Sequence, residues 1–265
     1  MIKLHYLLYF MSASALVFPF IIWILAVCQS KVVPIFPYIS DVGTVPPGAS
    51  LFSLMMNVIG FMLLMLAKIR YDIIKLSIAH KDIIDGDNLV AIKRWSRWSL
   101  ISGCITSGSA VMIGNFRSAE MFLVQSVHCM VAATLFMGSI IDMAMQSKVA
   151  YLMSDKRTGR YRFILTIVNL FVNSVSGLTG LISLIQYYPE ILENANRMAW
   201  DSSKPGYIPH VISALFEWFI AFIWCPYVLT YARDFKQYSL SKTLIVYKDV
   251  NQNETTVAYN SKNDI

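Results

Sequence analysis

The stretch NVIGFMLLMLA, residues 57–67, carries no charge and is apolar or small after its first residue. A helix needs about 20 mostly apolar residues to cross a bilayer, and this stretch forms the middle of a segment of that length. The whole chain has the same character, because 56% of its 265 residues are hydrophobic and only 14% are charged. Globular domains usually contain roughly 25% charged residues. The composition therefore indicates a polytopic membrane protein.

Six apolar segments predict an all-α fold, a bundle of six transmembrane helices. The predicted spans are about 4–28, 51–74, 98–114, 119–145, 161–185 and 210–232, which together form one domain over 1–232. The third is the least apolar, and small residues recur in it at every fourth position, at Ser99, Gly103 and Ser107. Small residues let neighbouring helices approach closely. We therefore expect the third span, and the fifth with Ser176 and Gly180, to be buried in the bundle.

The distribution of basic residues predicts the orientation. If both termini are cytosolic, 18 of the 22 Lys and Arg residues lie on the cytosolic side. Such a bias is typical of cytoplasmic loops, and it also explains the net charge of +6 without a nucleic-acid partner. The segment that follows the first span then lies on the exoplasmic side. Residues 233–265 are predicted to form a flexible cytosolic tail, since they lack apolar periodicity.

Three polar side chains lie within the predicted spans, near their exoplasmic ends. They are Glu217, His128 and Asn57. An ionisable group inside a span is costly and is a functional hypothesis by default. One interpretation is a pocket open to the lumen, with Glu217 bonded to His128 or Asn57. The alternative is a structural hydrogen bond that fixes the packing of the helices.

The predicted cytosolic side carries two further candidate sites. Basic and aromatic residues alternate at Lys93, Arg94, Trp95, Arg97 and Trp98. This pattern is typical of anchoring at a membrane interface, where the lipid bilayer and its anionic lipids are the expected partners. In the tail, Tyr247 and Val250 have the spacing of a tyrosine-based sorting motif.

No motif for catalysis or for metal or cofactor binding is found. The four cysteines and four histidines are scattered, without the spacings of metal or redox sites. Metalloprotease, nucleophile-elbow and phosphate-loop motifs are missing as well. We therefore expect a protein that is not an enzyme and has no cofactor.

The sequence PYISDVGTVPPGASLF, residues 37–52, separates the first two predicted spans. Its prolines restrict the backbone, and its glycines permit tight turns. We expect a rigid exoplasmic cap rather than a simple connection. Its characteristic residues are Pro37, Tyr38, Ser40, Asp41, Gly43, Thr44 and Pro47.

This loop, with KIRYDIIK at 68–75, GNFR at 114–117 and LTYARDFKQYSL at 229–240, resembles the signature of the damage-regulated autophagy modulator (DRAM) family. The second member of that family is expected to be the most similar. The resemblance implies a six-span protein of lysosomal and endosomal membranes that promotes autophagy and, in some members, cell death. It implies partners in the autophagy machinery, not yet identified, and no catalytic mechanism.

Two other functions remain open at this point. A plasma-membrane scaffold for lipid-kinase complexes or lipid asymmetry is a role known for distant members of the same superfamily. A proton-coupled or small-solute transporter would use Glu217.

Overall fold

The structure is a computed structural model that describes residues 2–30, 32, 37–44, 46–79, 88–117, 122–153, 155–191, 202–240 and 245–247. The helices are α1 (His5–Cys28), α2 (Gly48–Ala79), α3 (Leu89–Asn115), α4 (Phe122–Leu152), α5 (Lys156–Ile191), α6 (Tyr207–Leu229) and the short α7 (Ala232–Lys236). Three short strands accompany them, β1 (Ile2–Lys3), β2 (Tyr238–Leu240) and β3 (Ile245–Tyr247). The predicted helical, polytopic fold is confirmed.

Among the described residues, five helices are long and apolar enough to cross a membrane: α1, α2, α4, α5 and α6. The sixth long helix, α3, has 27 residues, but its first turns carry Lys93, Arg94 and Arg97. The predicted third span, 98–114, lies entirely within α3. That α3 crosses the bilayer therefore stays a prediction.

The helices continue beyond the predicted spans. Helix α2 has 32 residues, which at 1.5 Å per residue is about 48 Å. The hydrocarbon core of a bilayer is only about 30 Å thick. The last turns of α2 therefore project out of it, and the ion pair between Lys68 and Asp72, four residues apart, lies on that side.

The six long helices form a closed ring. Each packs against the next in the sequence, and α6 packs against α1. At one end of the ring, β1 pairs antiparallel with β2, and β2 with β3. This pairing brings residues 2–3 to the same end as residues 238–240 and 245–247, in agreement with the predicted topology. We call this end cytosolic and the opposite end exoplasmic.

The beginning of the tail differs from the prediction. Residues from 233 onward were expected to be flexible, yet α7 and two strands lie there. The reason is aromatic packing: Phe235 is fully buried, and its ring stacks on Tyr231 with centroids 6.2 Å apart. Tyr238 is buried as well and its hydroxyl lies 2.8 Å from Ser77 Oγ.

Helix α3 packs against its neighbours through its small residues, but it also exposes large apolar side chains such as Ile105, so its expected full burial is wrong. Ser99, Gly103 and Ser107 all lie inside the bundle. Ser107 Oγ donates a hydrogen bond to the carbonyl of Gly60 on α2 at 2.7 Å. On the opposite side, Ser102 Oγ donates to the carbonyl of Gly138 on α4 at 3.0 Å. Serine hydroxyls therefore join α3 to both neighbours.

Helix α5 is buried on one face only. Ser176 Oγ donates to the Ser213 carbonyl at 2.9 Å, and Ser213 Oγ donates to the Ser176 carbonyl at 2.7 Å. Its other faces expose large apolar side chains such as Phe171 and Ile185. The expected full burial of the fifth span is therefore wrong, because its small residues occupy only the stripe that faces α6.

The close approach of α2 and α3 can be tested at Gly103. A Cβ atom there would lie 2.6 Å from the Cβ of Ala67, so Gly103→Ala must push the helices apart. Overpacking of this kind costs about 1–3 kcal/mol. We expect a lower apparent melting temperature for the detergent-solubilised protein, measured by fluorescence-detected size-exclusion chromatography.

Gly108→Ala is the matched control on the same helix. A Cβ atom at Gly108 meets nothing within 4 Å, and the alanine would favour the helix by up to about 1 kcal/mol. Equal melting temperatures for the two variants would contradict the packing of α3 described above.

Candidate functional site: a loop fastened to helix α6

The described part of the first exoplasmic loop is folded. The carbonyl of Tyr38 accepts from the N–H of Asp41 at 3.0 Å, and one 3₁₀ turn spans Asp41–Gly43. Thr44 Oγ1 donates to the Asp41 carbonyl at 2.8 Å. Asp41 is only 3% exposed. The sequence pattern that predicted a rigid cap therefore falls on a compact, buried turn.

Gly43 is needed for close approach rather than for an unusual backbone angle. A Cβ atom on Gly43 would clash with the side chain of Phe52, which is the first large side chain of α2 to be buried here. The loop therefore rests directly on the start of α2, and any larger residue at this position would lift it away.

Helix α6 holds the loop by two long-range hydrogen bonds. The N–H of Ile39 donates to Oε2 of Glu217 at 3.1 Å. The indole Nε1 of Trp218 donates to the carbonyl of Pro37 at 2.9 Å, and Trp218 is only 1% exposed. The Tyr38 ring also meets the His210 ring edge to face, with centroids 5.0 Å apart. These three contacts hold the loop and α6 together.

A cavity of about 160 Å³ lies beneath this loop, between the helices. All six long helices contribute to its wall, and Ile39 and Ser40 of the loop contribute as well. Glu217 and His128 both line it. The structure therefore brings two of the three predicted intramembrane polar residues to one cavity.

Asn57 lies elsewhere. Its Oδ1 accepts from Nδ2 of Asn115 at 3.0 Å, at the exoplasmic end of α3. His128 Nδ1 lies 2.6 Å from the carbonyl of Phe116, which follows α3. Both side chains thus tie the end of α3 to its neighbours. The predicted pocket role of the three residues together stays a prediction.

The other predicted sites lie at the cytosolic end. Lys93, Arg94 and Arg97 are exposed, and Trp98 is 53% exposed. Arg94 Cζ lies 5.7 Å from the centre of the Trp95 ring. Tyr247 belongs to β3, where it pairs with Tyr238. Val250 lies outside the described residues.

The predicted loop residues differ in burial. Pro37, Asp41 and Gly43 are buried, Tyr38, Ser40 and Thr44 are half-buried, and Pro47 is exposed. The part of the chain that the structure describes contains no group of three or more His, Cys, Asp or Glu side chains that could hold a metal ion.

Sequence reasoning missed a buried charge cluster at the cytosolic end. Asp234 Oδ2 lies 2.7 Å from Nη1 of Arg70 and 3.2 Å from Nη2 of Arg162. Both guanidinium groups also lie over one aromatic ring, since the Cζ atoms of Arg70 and Arg162 are each 4.4 Å from the centre of the Tyr231 ring. Arg70 is 4% exposed and Arg162 1%. We call Arg70, Arg162, Tyr231 and Asp234 the cytosolic clasp.

The two cations of the clasp share one anion and also have polar neighbours. Burial alone would raise the pKa of Asp234 on α7, but Arg70 and Arg162 outweigh burial and hold the pKa below its ordinary value. The carboxylate therefore stays ionised at neutral pH. Gln146 Oε1 accepts from Nη2 of Arg70 at 3.2 Å, and its Nε2 donates to Ser99 Oγ at 2.7 Å.

Only part of this clasp had a sequence signal. Arg70 belongs to KIRYDIIK and Asp234 to LTYARDFKQYSL, two of the segments that carry the family resemblance. Arg162 follows a run of charged residues and could be taken for an exposed one. Nothing local in the sequence indicates that these three charges meet.

The chain was compared with known proteins. A family model described as the Frag1/DRAM/Sfk1/Cwh43P N-terminal domain matches residues 3–238. DNA damage-regulated autophagy modulator protein 2 of Mus musculus is 25% identical over 223 residues, covering 82% of this chain and 78% of its own. The protein of the same name from Bos taurus is 28% identical over 231 residues, covering 86% and 82%.

DNA damage-regulated autophagy modulator protein 1 of Homo sapiens is 25% identical over 245 residues, covering 92% of this chain and 95% of its own. The relatives named protein 2 match slightly more strongly than those named protein 1, as expected from the sequence. No solved structure matches the chain.

The cytosolic clasp should be essential for stability. Replacing Arg162 by Met leaves Arg70 paired with Asp234, but it removes the hydrogen bonds that Arg162 donates to Oγ1 and to the carbonyl of Thr230. Hydrogen bonds that involve a charged group contribute about 1.5–3 kcal/mol. We expect Arg162→Met to lower the apparent melting temperature in detergent strongly. Asp234→Asn should do the same, because it leaves two guanidinium groups beside each other without an anion.

Arg160→Met is the matched control, because Arg160 lies two residues earlier on α5 and is exposed. Surface substitutions usually change stability by less than about 0.5 kcal/mol. If Arg160→Met and Arg162→Met melted at the same temperature, the clasp would not be a stabilising element.

Proposed function

This chain belongs to the Frag1/DRAM/Sfk1/Cwh43P family, and we propose that it promotes autophagy from lysosomal and late endosomal membranes. Its relatives are named as autophagy modulators, which supports an autophagy-related role for a membrane protein. In this proposal it acts without catalysis, through membrane and protein partners of the autophagy machinery. A contribution to cell death, implied by the resemblance to the DRAM family, belongs to the same proposal.

The observation that carries the proposal is the fastening of the first exoplasmic loop to α6. The loop contains the residues of the resemblance, and Glu217 and Trp218 bind its backbone at Ile39 and Pro37. A loop that only connected two spans would not need partners about 180 residues away. The half-buried and exposed residues of the loop are thereby held in a fixed arrangement, which suits recognition of a partner on the lumenal side.

Helix α6 also gives the loop a physical link to the cytosolic side. Glu217 and Trp218 lie near the middle of α6, and the chain that follows its last residue, Leu229, contains Tyr231 and Asp234 of the clasp. A displacement of α6 would therefore disturb both ends. In the proposed function, the state of the cap is reported to the cytosolic face along this helix.

The cytosolic face offers a surface for lipids or partners. Lys93, Arg94 and Arg97 are exposed at the start of α3, with Trp98 exposed beside them. Basic groups beside a membrane attract anionic headgroups at about 1 kcal/mol per residue. In our proposal this segment contacts the anionic lipids of the cytosolic leaflet.

A plasma-membrane scaffold is the second candidate, and the same exposed basic and aromatic segment favours it. Location distinguishes the two, since a scaffold of this kind would remain at the cell surface after Tyr247→Ala. The transporter alternative has less support, because the Glu217 carboxylate accepts from the Ile39 backbone and lies at an apolar cavity. Unchanged proton and solute fluxes in proteoliposomes after Glu217→Gln would count against it.

The proposal is tested by rescue in cells that lack the protein. Glu217→Leu removes the acceptor of the Ile39 N–H, and Tyr38→Ala removes the ring that packs on His210. Glu217→Gln keeps an acceptor, and Ser50→Ala changes an exposed residue near the loop. We expect the first two variants to fail to restore autophagic flux, whereas the last two restore it.

Flux is measured as turnover of the lipidated autophagosome marker with and without a lysosomal inhibitor. Overlap with lysosomal membrane markers is recorded for each variant, and total protein is compared by size-exclusion chromatography to detect misfolding. The proposed function fails if wild-type protein restores no flux. The role of the loop fails if Glu217→Leu and Tyr38→Ala restore flux as well as wild type.

A further inference from the structure

The cavity under the loop has an apolar wall. Besides Ile39 and Ser40 of the loop, most of its lining consists of aliphatic, methionine and aromatic side chains, such as Phe52, Ile59 and Trp224. Empty cavities with such walls stay dry, because a water molecule needs two to four polar partners. A polar solute or a water chain therefore has little to bind here.

The polar side chains at the wall already bond to the protein. Glu217 accepts from Ile39 N–H at 3.1 Å, His128 lies 2.6 Å from the Phe116 carbonyl, and Asn169 Nδ2 lies 3.3 Å from Met143 Sδ. Thr106 and Ser139 donate to carbonyls of their own helices at 2.8 and 2.7 Å. The polar atoms of the wall therefore form hydrogen bonds within the protein, and the interior of the cavity is mainly apolar.

The size of the cavity sets what can enter. Its volume is about 160 Å³, and an apolar cavity of about 150 Å³ is known to hold one benzene molecule. The end of one hydrocarbon chain, a few methylene groups long, fits.

The surroundings favour the same occupant. The cavity lies inside a helix bundle whose outer surface faces hydrocarbon, so lipid chains are the molecules in highest concentration around it. A lipid tail that moves from the bilayer into the cavity gains little from the hydrophobic effect, because the surrounding lipid tails are as apolar as leucine. It gains dispersion contacts instead, since the walls of a void lack partner atoms on one side.

We propose that this cavity is a binding site for the end of a single hydrocarbon chain of a lipid, held beneath the loop that α6 fastens. This hydrocarbon chain packs against Ile39 and Phe52 from inside the cavity and completes the packing of the six helices around it. The site is independent of the proposed role in autophagy. A free fatty acid and a phospholipid acyl chain share this chemistry.

The test uses purified protein in detergent or nanodiscs with two photoreactive probes. One is a fatty acid with a diazirine near its methyl end, and the other is a phosphatidylcholine that carries the same chain. After irradiation, labelled peptides are identified by mass spectrometry. We expect labels on cavity-lining segments of α2, α4 and α6 in addition to the lipid-facing surface.

Two neighbouring alanines of α4 provide a matched pair. Ala132 lines the cavity, whereas Ala133 is exposed on the outer surface. Ala132→Leu fills part of the cavity and should reduce labelling of its lining several-fold, without changing labels on exposed segments. Ala133→Leu should leave the cavity labels unchanged. Ala221→Leu, which fills the cavity from α6, serves if Ala132→Leu does not fold.

Each outcome decides the proposal. Cavity labels from both probes support a site for any lipid chain, and labels from the fatty acid alone support a site for a free single-chain lipid. Labels confined to exposed segments, or cavity labels that Ala132→Leu and Ala221→Leu do not reduce, overturn it. Measurement on purified protein keeps this result separate from the outcome of the cellular rescue.

Discussion

Hydrocarbon offers no hydrogen-bond partner, so a polar group within a membrane-spanning bundle must find one in the protein. This constraint sets the positions of the helices here. Ser107 donates to Gly60, Ser102 to Gly138, and the Tyr227 hydroxyl donates to the Met143 carbonyl at 2.7 Å. Each bond fixes how far one helix is shifted along its neighbour. Apolar packing alone would specify this shift only weakly.

The same constraint shapes the two ends of the bundle. At the exoplasmic end, an irregular loop is partly buried, and Glu217 and Trp218 of α6 bond the N–H of Ile39 and the carbonyl of Pro37 in it. At the cytosolic end, two buried arginines need an anion, and Asp234 supplies it just after α6. Helix α6 and the segment that follows it thus supply polar partners at both ends of the bundle. The core between them is left apolar, and the cavity lies there.

The sequence predicted the features that depend on local composition. Apolar length predicted a helical membrane protein, and the spacing of Ser99, Gly103 and Ser107 predicted a closely packed α3. Prediction from the sequence failed where a residue's position depends on contacts with residues that are distant in the sequence. Arg162 and Asp234 are 72 residues apart, and no periodic pattern connects them.

Glu217 shows the same limit in another form. Its position inside an apolar segment marked it as unusual, and polar residues at similar depth were the natural partner candidates. Its bond to Ile39 instead runs to a backbone N–H of a loop, which side-chain identities cannot reveal. The burial of Phe235 and Tyr238 after α6 was missed for a related reason. Short aromatic segments have no periodicity, and only the three-dimensional arrangement shows what covers them.

The most direct test of this account is hydrogen–deuterium exchange of the segment 37–44, followed by mass spectrometry of the purified protein. If α6 fastens the loop, its amides exchange slowly in the wild type and markedly faster in Glu217→Leu, while Glu217→Gln stays close to wild type. Exchange at the rate of an unstructured peptide in the wild type, or equal rates in all three proteins, would contradict the central claim.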